Sequence, residues 1–202
     1  GADTLTDLVL ASRSAIRLEL LRNAGLGVRA VRPQVDEAAI KARCRDAGAS
    51  AEQASVSLAL AKSRDVSSVE PNALVVGADQ ILDFEGDWLD KPRDRADAEE
   101  QLRRLSDRTH RLVTGICLVR SDEEVWRYCE AATLSMVALD ESAIDRYLNS
   151  IGANAYDSVG AYQIEKRGIG LFKNISGDHF SILGLPLVPL IRVLRTYGFS
   201  IP

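Results

Sequence analysis

Residues 73–79, ALVVGAD, constrain the fold of this chain more than any other stretch. An uninterrupted apolar run rich in valine reads as a buried strand. It breaks off through Gly77 and Ala78 into a carboxylate, Asp79, followed by an amide, Gln80. A charge at the end of a buried strand is costly unless a cation, a metal or a hydrogen-bond network compensates it. The strand has to lie inside a sheet, and Asp79 needs a physical reason to be there.

The surroundings supply the other layers. LVLAS (8–12) reads as a short strand and SAIRLELLRNAG (14–25) as a helix with Ile16, Leu20 and Ala24 on one face and Gly25 as its stop. VRAVRP (28–33) reads as a second strand, QVDEAAI (34–40) leads into a polar stretch, and residues 50–66 form a helix capped by Ser50. ILDFEGDWLD (81–90) resembles a hairpin turning at Glu85 and Gly86, and RADAEEQLRRLSD (95–107) a helix that buries Ala98, Leu102 and Leu105. HRLVTGICLVR and EVWRYCEAATLSMVAL, split by SDEE, form an antiparallel pair. Asp140 caps a short helix, and a last helix sets Leu187, Leu190, Ile191 and Leu194 in one stripe between Pro186 and Gly198. The expected fold is mixed α/β: a curved mixed sheet flanked by helices, in two lobes around a central cleft. With no repeat, low-complexity segment or separating linker, residues 1–202 are expected to form a single domain.

Composition narrows the function. The chain has 202 residues, 46% hydrophobic and 27% charged, which is ordinary for a globular protein. A net charge of −4 argues against a basic surface for a nucleic acid polymer. Cys44, Cys117 and Cys129 are odd in number and widely spaced, so a disulfide framework is not expected and a reducing compartment is. The only histidines, His110 and His179, lack zinc-ligand spacing, so any metal would take oxygen ligands. The opening residues have neither a basic region nor a continuous apolar one, and no run reaches membrane-spanning length. A cytoplasmic protein without membrane contact is expected, with Gly1 as an expression remnant or a processed start. The GADT at residues 1–4 follows no buried strand and is read as accidental.

Four polar pieces sit at strand or turn ends, each with two readings. Ser12, Ser14 and Arg17 can hold an anion between strand and helix, or Ser14 can simply cap the helix. Asp36 and Glu37 suit a metal or a solvated helix start. Lys62 stands on an apolar helix, where it can serve a site or snorkel to water. Asp79 and Lys91, which Pro92 holds in a defined extended turn, can face one cleft if the hairpin folds back.

Together these blocks, with VGAYQIEKRGIGLFKNISGDHFSILGLPLVPLIRVL near the end, resemble the Maf family of nucleotide pyrophosphatases in order from about residue 8 to 198. Two departures bear on the site: the usual S-P-R-R is Ser14-Ala15-Ile16-Arg17 here, and Gln80 stands where many members have Thr. A third, LSDRTH in place of L-S-G, is read as a harmless turn variant.

The resemblance implies hydrolysis of a nucleoside triphosphate between the α- and β-phosphates, with Mg²⁺ or Mn²⁺. It implies Asp79 as general base and metal ligand, Glu37 as metal ligand, and Lys62 and Lys91 beside them. Ser12, Ser14, Arg17, Gln80 and Glu165 would contact substrate, Glu165 facing the base. An acceptor-only carboxylate there suits a purine edge rich in N–H donors. A homodimer is compatible with it. Two alternatives stay open: a non-catalytic nucleotide-binding regulator of cell division, and an inosine- or xanthosine-triphosphate-type pyrophosphatase.

Overall fold

The computed structural model describes residues 6–201. The GADT at residues 1–4 and Gly1 lie outside them. The sheet has seven strands: β1 (Asp7–Ala11), β2 (Val28–Val31), β3 (Ala73–Phe84), β4 (Asp87–Leu89), β5 (Thr109–Arg120), β6 (Glu123–Met136) and β7 (Phe172–Ser176). Their order is β2-β1-β3-β5-β6-β7, with β4 paired to β3 off that path. The helices are α1 (Ala15–Asn23), α2 (Glu37–Asp46), α3 (Ala51–Val69), α4 (Arg95–Leu105), α5 (Glu141–Ile151), α6 (His179–Leu183) and α7 (Leu187–Thr196). The chain divides into two compact units, and β3, β5 and β6 contribute a segment to each.

The first unit holds β1, β2, β3 up to Gln80, Thr114–Glu130 of β5 and β6, α1 to α3, α6 and α7. Its β1 pairs in parallel with β2 on one side and β3 on the other, Ala11 standing opposite Gly77. Alternation along these strands makes the two layers. Leu8, Leu10, Leu74, Val76 and Ala78 join the core under α1 and α7, whereas Val9, Ala11, Ala73 and Val75 pack with Val66 of α3. The strands are thus buried on both faces, as the apolar run requires. Two glycines let α3 lie close to the sheet. A Cβ on Gly77 would stand 2.2 Å from the Ala59 carbonyl oxygen, and one on Gly115 would stand 2.6 Å from the Val56 nitrogen.

The second unit comprises Ile81–Val113 and Ala131–Gly177. Its β3–β4 hairpin pairs Leu82 with Leu89 and turns through Glu85 and Gly86, both at positive φ. Helix α4 buries Ala98, Gln101, Leu102 and Leu105, and α5 buries Ile144 and Leu148. Short 3₁₀ turns follow at Gly152–Asp157, Val159–Ala161 and Arg167–Leu171 before β7, which runs antiparallel to β6.

Caps at Ser14, Ser50 and Asp140 start their helices as expected, each hydroxyl or carboxylate accepting an N–H three residues on. The Asp107 variant in LSDRTH sits at φ 54, a left-handed position that aspartate tolerates. The helix start that Asp36 and Glu37 suit is that of α2, capped by Asp36. Its residues are all exposed or half-buried, so the sequence carries little apolar periodicity to mark its extent. One expectation needs correction: strand β3 does not stop at Asp79 but runs on to Phe84. Asp79 therefore projects from the middle of a strand, with its direction set by the pleat.

Candidate active site

Because Gly77 faces α3, the strand's period of two turns Asp79 toward α3 as well and sends Gln80 to the opposite face. Lys62, on α3, meets Asp79: its Nζ donates to Asp79 Oδ1 at 2.8 Å and to the Ala78 carbonyl at 3.2 Å. The same nitrogen lies 2.7 Å from Glu37 Oε1, at the first turn of α2. Three acceptors match the three hydrogens of an ammonium group. The Lys62 side chain is 8% exposed and that of Asp79 14%, against 47% for Glu37. The snorkelling reading of Lys62 is thereby overturned. The head group turns inward because two carboxylates and a carbonyl replace its water.

Burial pushes the Glu37 carboxyl upward, but Lys62, with Arg13 and Arg17 further off, holds it below the usual carboxylate range. Glu37 therefore stays ionised. Arg17, at the start of α1, is half-buried. Burial lowers its pKa, while the charges of Asp79 and Glu37 oppose that shift. Its Nε donates to the Gly184 carbonyl at 2.7 Å, and one Nη1 hydrogen reaches Ser12 Oγ at 3.5 Å. The Nη2 group makes no hydrogen bond among the described residues, so a planar donor pair stays available for an anion. Buried Ser12 also accepts the Ser14 N–H at 3.0 Å. The Ser14 hydroxyl is committed to capping α1, accepting the Arg17 N–H at 3.3 Å.

The first unit thus brings together Ser12, Ser14, Arg17, Glu37, Lys62 and Asp79. It does not bring Gln80 to them. The Gln80 amide nitrogen lies 3.2 Å from Thr114 Oγ1, 3.1 Å from the Ser181 carbonyl and 2.9 Å from that of Ile182. The second unit carries the remaining two positions. Lys91 is exposed after β4 with no ion-pair partner among the described residues, and Glu165 is exposed in a turn. A cavity of about 190 Å³ in that unit is lined by Tyr147, Asn154, Gln163, Lys166 and Arg167, but not by Glu165.

Sequence reasoning missed the two main-chain carbonyls, of Ala78 and Gly184, that hold Lys62 and Arg17. Main-chain acceptors leave no mark in residue types. It also missed Arg13 as a neighbouring charge for Glu37.

Strand β1 has β2 on one side and β3 on the other, with α1 and α3 covering opposite faces. In open α/β sheets, ligands bind outside the carboxyl ends of the strands at such a reversal. Ser12 follows the last β1 residue, and Asp79 lies two residues beyond its partner Gly77. The class is an α/β protein with a charged cluster at a topological switch point. More particularly, a family model described as Maf-like protein matches residues 7–197, and the chain belongs to that family. It is 45% identical over 191 residues to a 7-methyl-GTP pyrophosphatase of Rhizobium meliloti (strain 1021), covering 95% of this chain and 96% of the relative. It is 44% identical to a nucleoside triphosphate pyrophosphatase of Nitrobacter hamburgensis, covering 95% and 94%. Among solved structures, a nucleoside-triphosphatase (dITP/XTP pyrophosphatase) of Mycobacterium abscessus matches with a TM-score of 0.42 and 24% identity, over 66% of this chain and 76% of that one. Among the described residues, no helix is long and apolar enough to cross a membrane.

Proposed function

We propose that this protein is a nucleoside triphosphate pyrophosphatase, releasing nucleoside monophosphate and pyrophosphate, with 7-methyl-GTP among its substrates. The observation that carries the reading is the gathering of Ser12, Arg17, Glu37, Lys62 and Asp79 where β1 and β3 leave their pairing. The names of the relatives give its direction.

A triphosphate repels an incoming nucleophile, so catalysis depends on neutralising its charge and orienting the groups. Arg17 grips phosphate oxygens through its free Nη2 edge, and the N-terminus of α1, capped by Ser14, adds main-chain donors. Ser12 orients Arg17. Asp79 accepts the proton of the attacking water, while the bond from the α-phosphorus to the bridging oxygen breaks and pyrophosphate carries the electron pair away. Lys62 holds Asp79 and Glu37 in place and keeps Glu37 ionised.

The donor chemistry at Glu37 and Asp79 fits a hard cation. Each keeps a second oxygen that Lys62 does not hold. Among the described residues no group of three or more metal-ligating side chains stands together. Mg²⁺ characteristically accepts one or two carboxylates and fills its shell with substrate phosphates and water. Glu37 and Asp79 would hold Mg²⁺ or Mn²⁺, which would supply charge neutralisation at the phosphates and a more acidic bound water.

The test is a panel of canonical and 7-methylated triphosphates with Mg²⁺ or Mn²⁺, with identification of the phosphate released. Pyrophosphate as the first product is expected. Nucleoside diphosphate and orthophosphate would overturn the cleavage position, and intact triphosphates would favour a binding protein without turnover.

A further inference from the structure

Helix α6 is short, and its Ser181 carbonyl accepts only the Gly184 N–H at the helix end, at 3.0 Å. The remaining acceptor capacity of its last turn is taken up by side chains of the sheet. Gln80 of β3 donates to the Ser181 and Ile182 carbonyls, and Thr114 of β5 donates to the Ser181 carbonyl at 2.9 Å. A third strand holds the same residue from its side chain. The buried Ser181 hydroxyl lies 2.5 Å from Glu130 Oε2 of β6 and 3.0 Å from Asp178 Oδ2. Three strands thus pin one turn of helix.

Directly after that turn comes Gly184, at φ 120, whose carbonyl accepts the Arg17 Nε–H at 2.7 Å. That bond orients the guanidinium plane, since Nε, Nη1 and Nη2 are coplanar. A Cβ at Gly184 would stand 3.2 Å from Arg17 Nε, so chain and guanidinium are in close contact. The Gly184 carbonyl can aim Arg17 only as well as α6 is itself held.

We propose that Ser181 is a positioning residue for anion binding: through α6 it fixes the Gly184 carbonyl and with it the plane of Arg17. The proposal rests on the reading of Arg17 as the phosphate grip. It gives Gln80, Thr114 and Glu130 a shared task although none of them need touch substrate.

The experiment is a double-mutant cycle on binding, using the α,β-methylene analogue of GTP as a non-cleavable probe and calorimetry well below the melting temperature. Arg17→Ala is expected to weaken the dissociation constant about tenfold or more, the loss of a charge-assisted contact. Ser181→Ala is expected to weaken it about fivefold in the wild-type background and by less than about 1.5-fold in the Arg17→Ala background, since coupled residues are non-additive. Equal effects of Ser181→Ala in the two backgrounds, or none in either, would overturn the strut. Should Ser181→Ala fail to fold, Glu130→Ala goes through the same cycle, and unequal or equal effects in the two backgrounds decide it in the same way. No loss of binding in Arg17→Ala would instead overturn the phosphate-grip reading, and the strut with it.

Discussion

Charge is paired in two ways in this molecule, and distance does not tell them apart. In the first unit, Lys62 sits 2.7 Å from Glu37 and 2.8 Å from Asp79. In the second, Arg103 of α4 reaches Glu141 of α5 at 2.7 Å, and Arg95 reaches Asp145 at 2.5 Å. The difference is solvent. Lys62 is 8% exposed, whereas Arg95 and Arg103 are 37% and 40% exposed and their acceptors more so. Exposed pairs are screened by solvent and typically contribute at most about 1 kcal/mol. A buried cluster costs desolvation that an apolar replacement would avoid. Its place beside Ser12 and Arg17 is what makes the first cluster the candidate for chemistry.

The sharpest way to break this contrast is Asp79→Asn. The amide is nearly isosteric, so the fold should persist while turnover drops by about 10²-fold or more, the usual worth of a general base. A well-folded variant with wild-type turnover would reduce the buried cluster to a structural one.

Next in size is Lys62→Met, which leaves the half-buried Asp79 without its cation. Breaking a buried pair from one side typically costs about 3 kcal/mol, to be read from denaturant unfolding, with turnover falling as well. Unchanged stability would mean that water readily replaces the ammonium group.

His110 sharpens the comparison from the second unit, where a titratable group is buried neutral. Its Nε2 lies 2.7 Å from Tyr162 Oη, its Nδ1 has no hydrogen-bond partner among the described residues, and burial lowers its pKa from 6.5 to about 4. The unfolded chain binds the proton more tightly than the folded one, so stability is full above about pH 6.5 and is lost as pH falls toward 4. Between pH 7 and pH 5 the loss should be about 2 kcal/mol. His110→Phe should remove that part of the pH dependence, and an unaltered pH profile of melting would refute it.

Ser14→Ala should cost about 1 kcal/mol of stability through the lost cap and leave the Kd for a triphosphate analogue nearly unchanged. A large loss of binding would show that its hydroxyl serves the substrate. Smallest of all, Arg103→Ala should leave turnover at the wild-type value and melting close to it, since Glu141 and Glu100 face water.

The elements and their caps were legible in the sequence because each rests on local chemistry: valine-rich runs for β1 and β3, Ser50 and Asp140 ahead of apolar periodicity, Glu85 and Gly86 at a turn. Helix α2 could be read only at its acidic start, because a helix with no buried residue has little apolar stripe to mark its extent. At the site, residue types pointed to Asp79, Lys62, Glu37 and Arg17. The same residue types did not separate Asp79 from Gln80, which only the pleat divides between the two faces of the sheet.

By itself the sequence determined an α/β chain with a carboxylate on a buried strand and cations near enough in kind to answer it. Only the tertiary structure decided that Lys62 turns inward, that Gln80 serves α6, and that Gly184 aims Arg17. Those outcomes depend on the close approach of α3 at Gly77 and on main-chain carbonyls presented by distant segments. Sequence spacing cannot express either, because every residue carries the same carbonyl and only packing decides where it points.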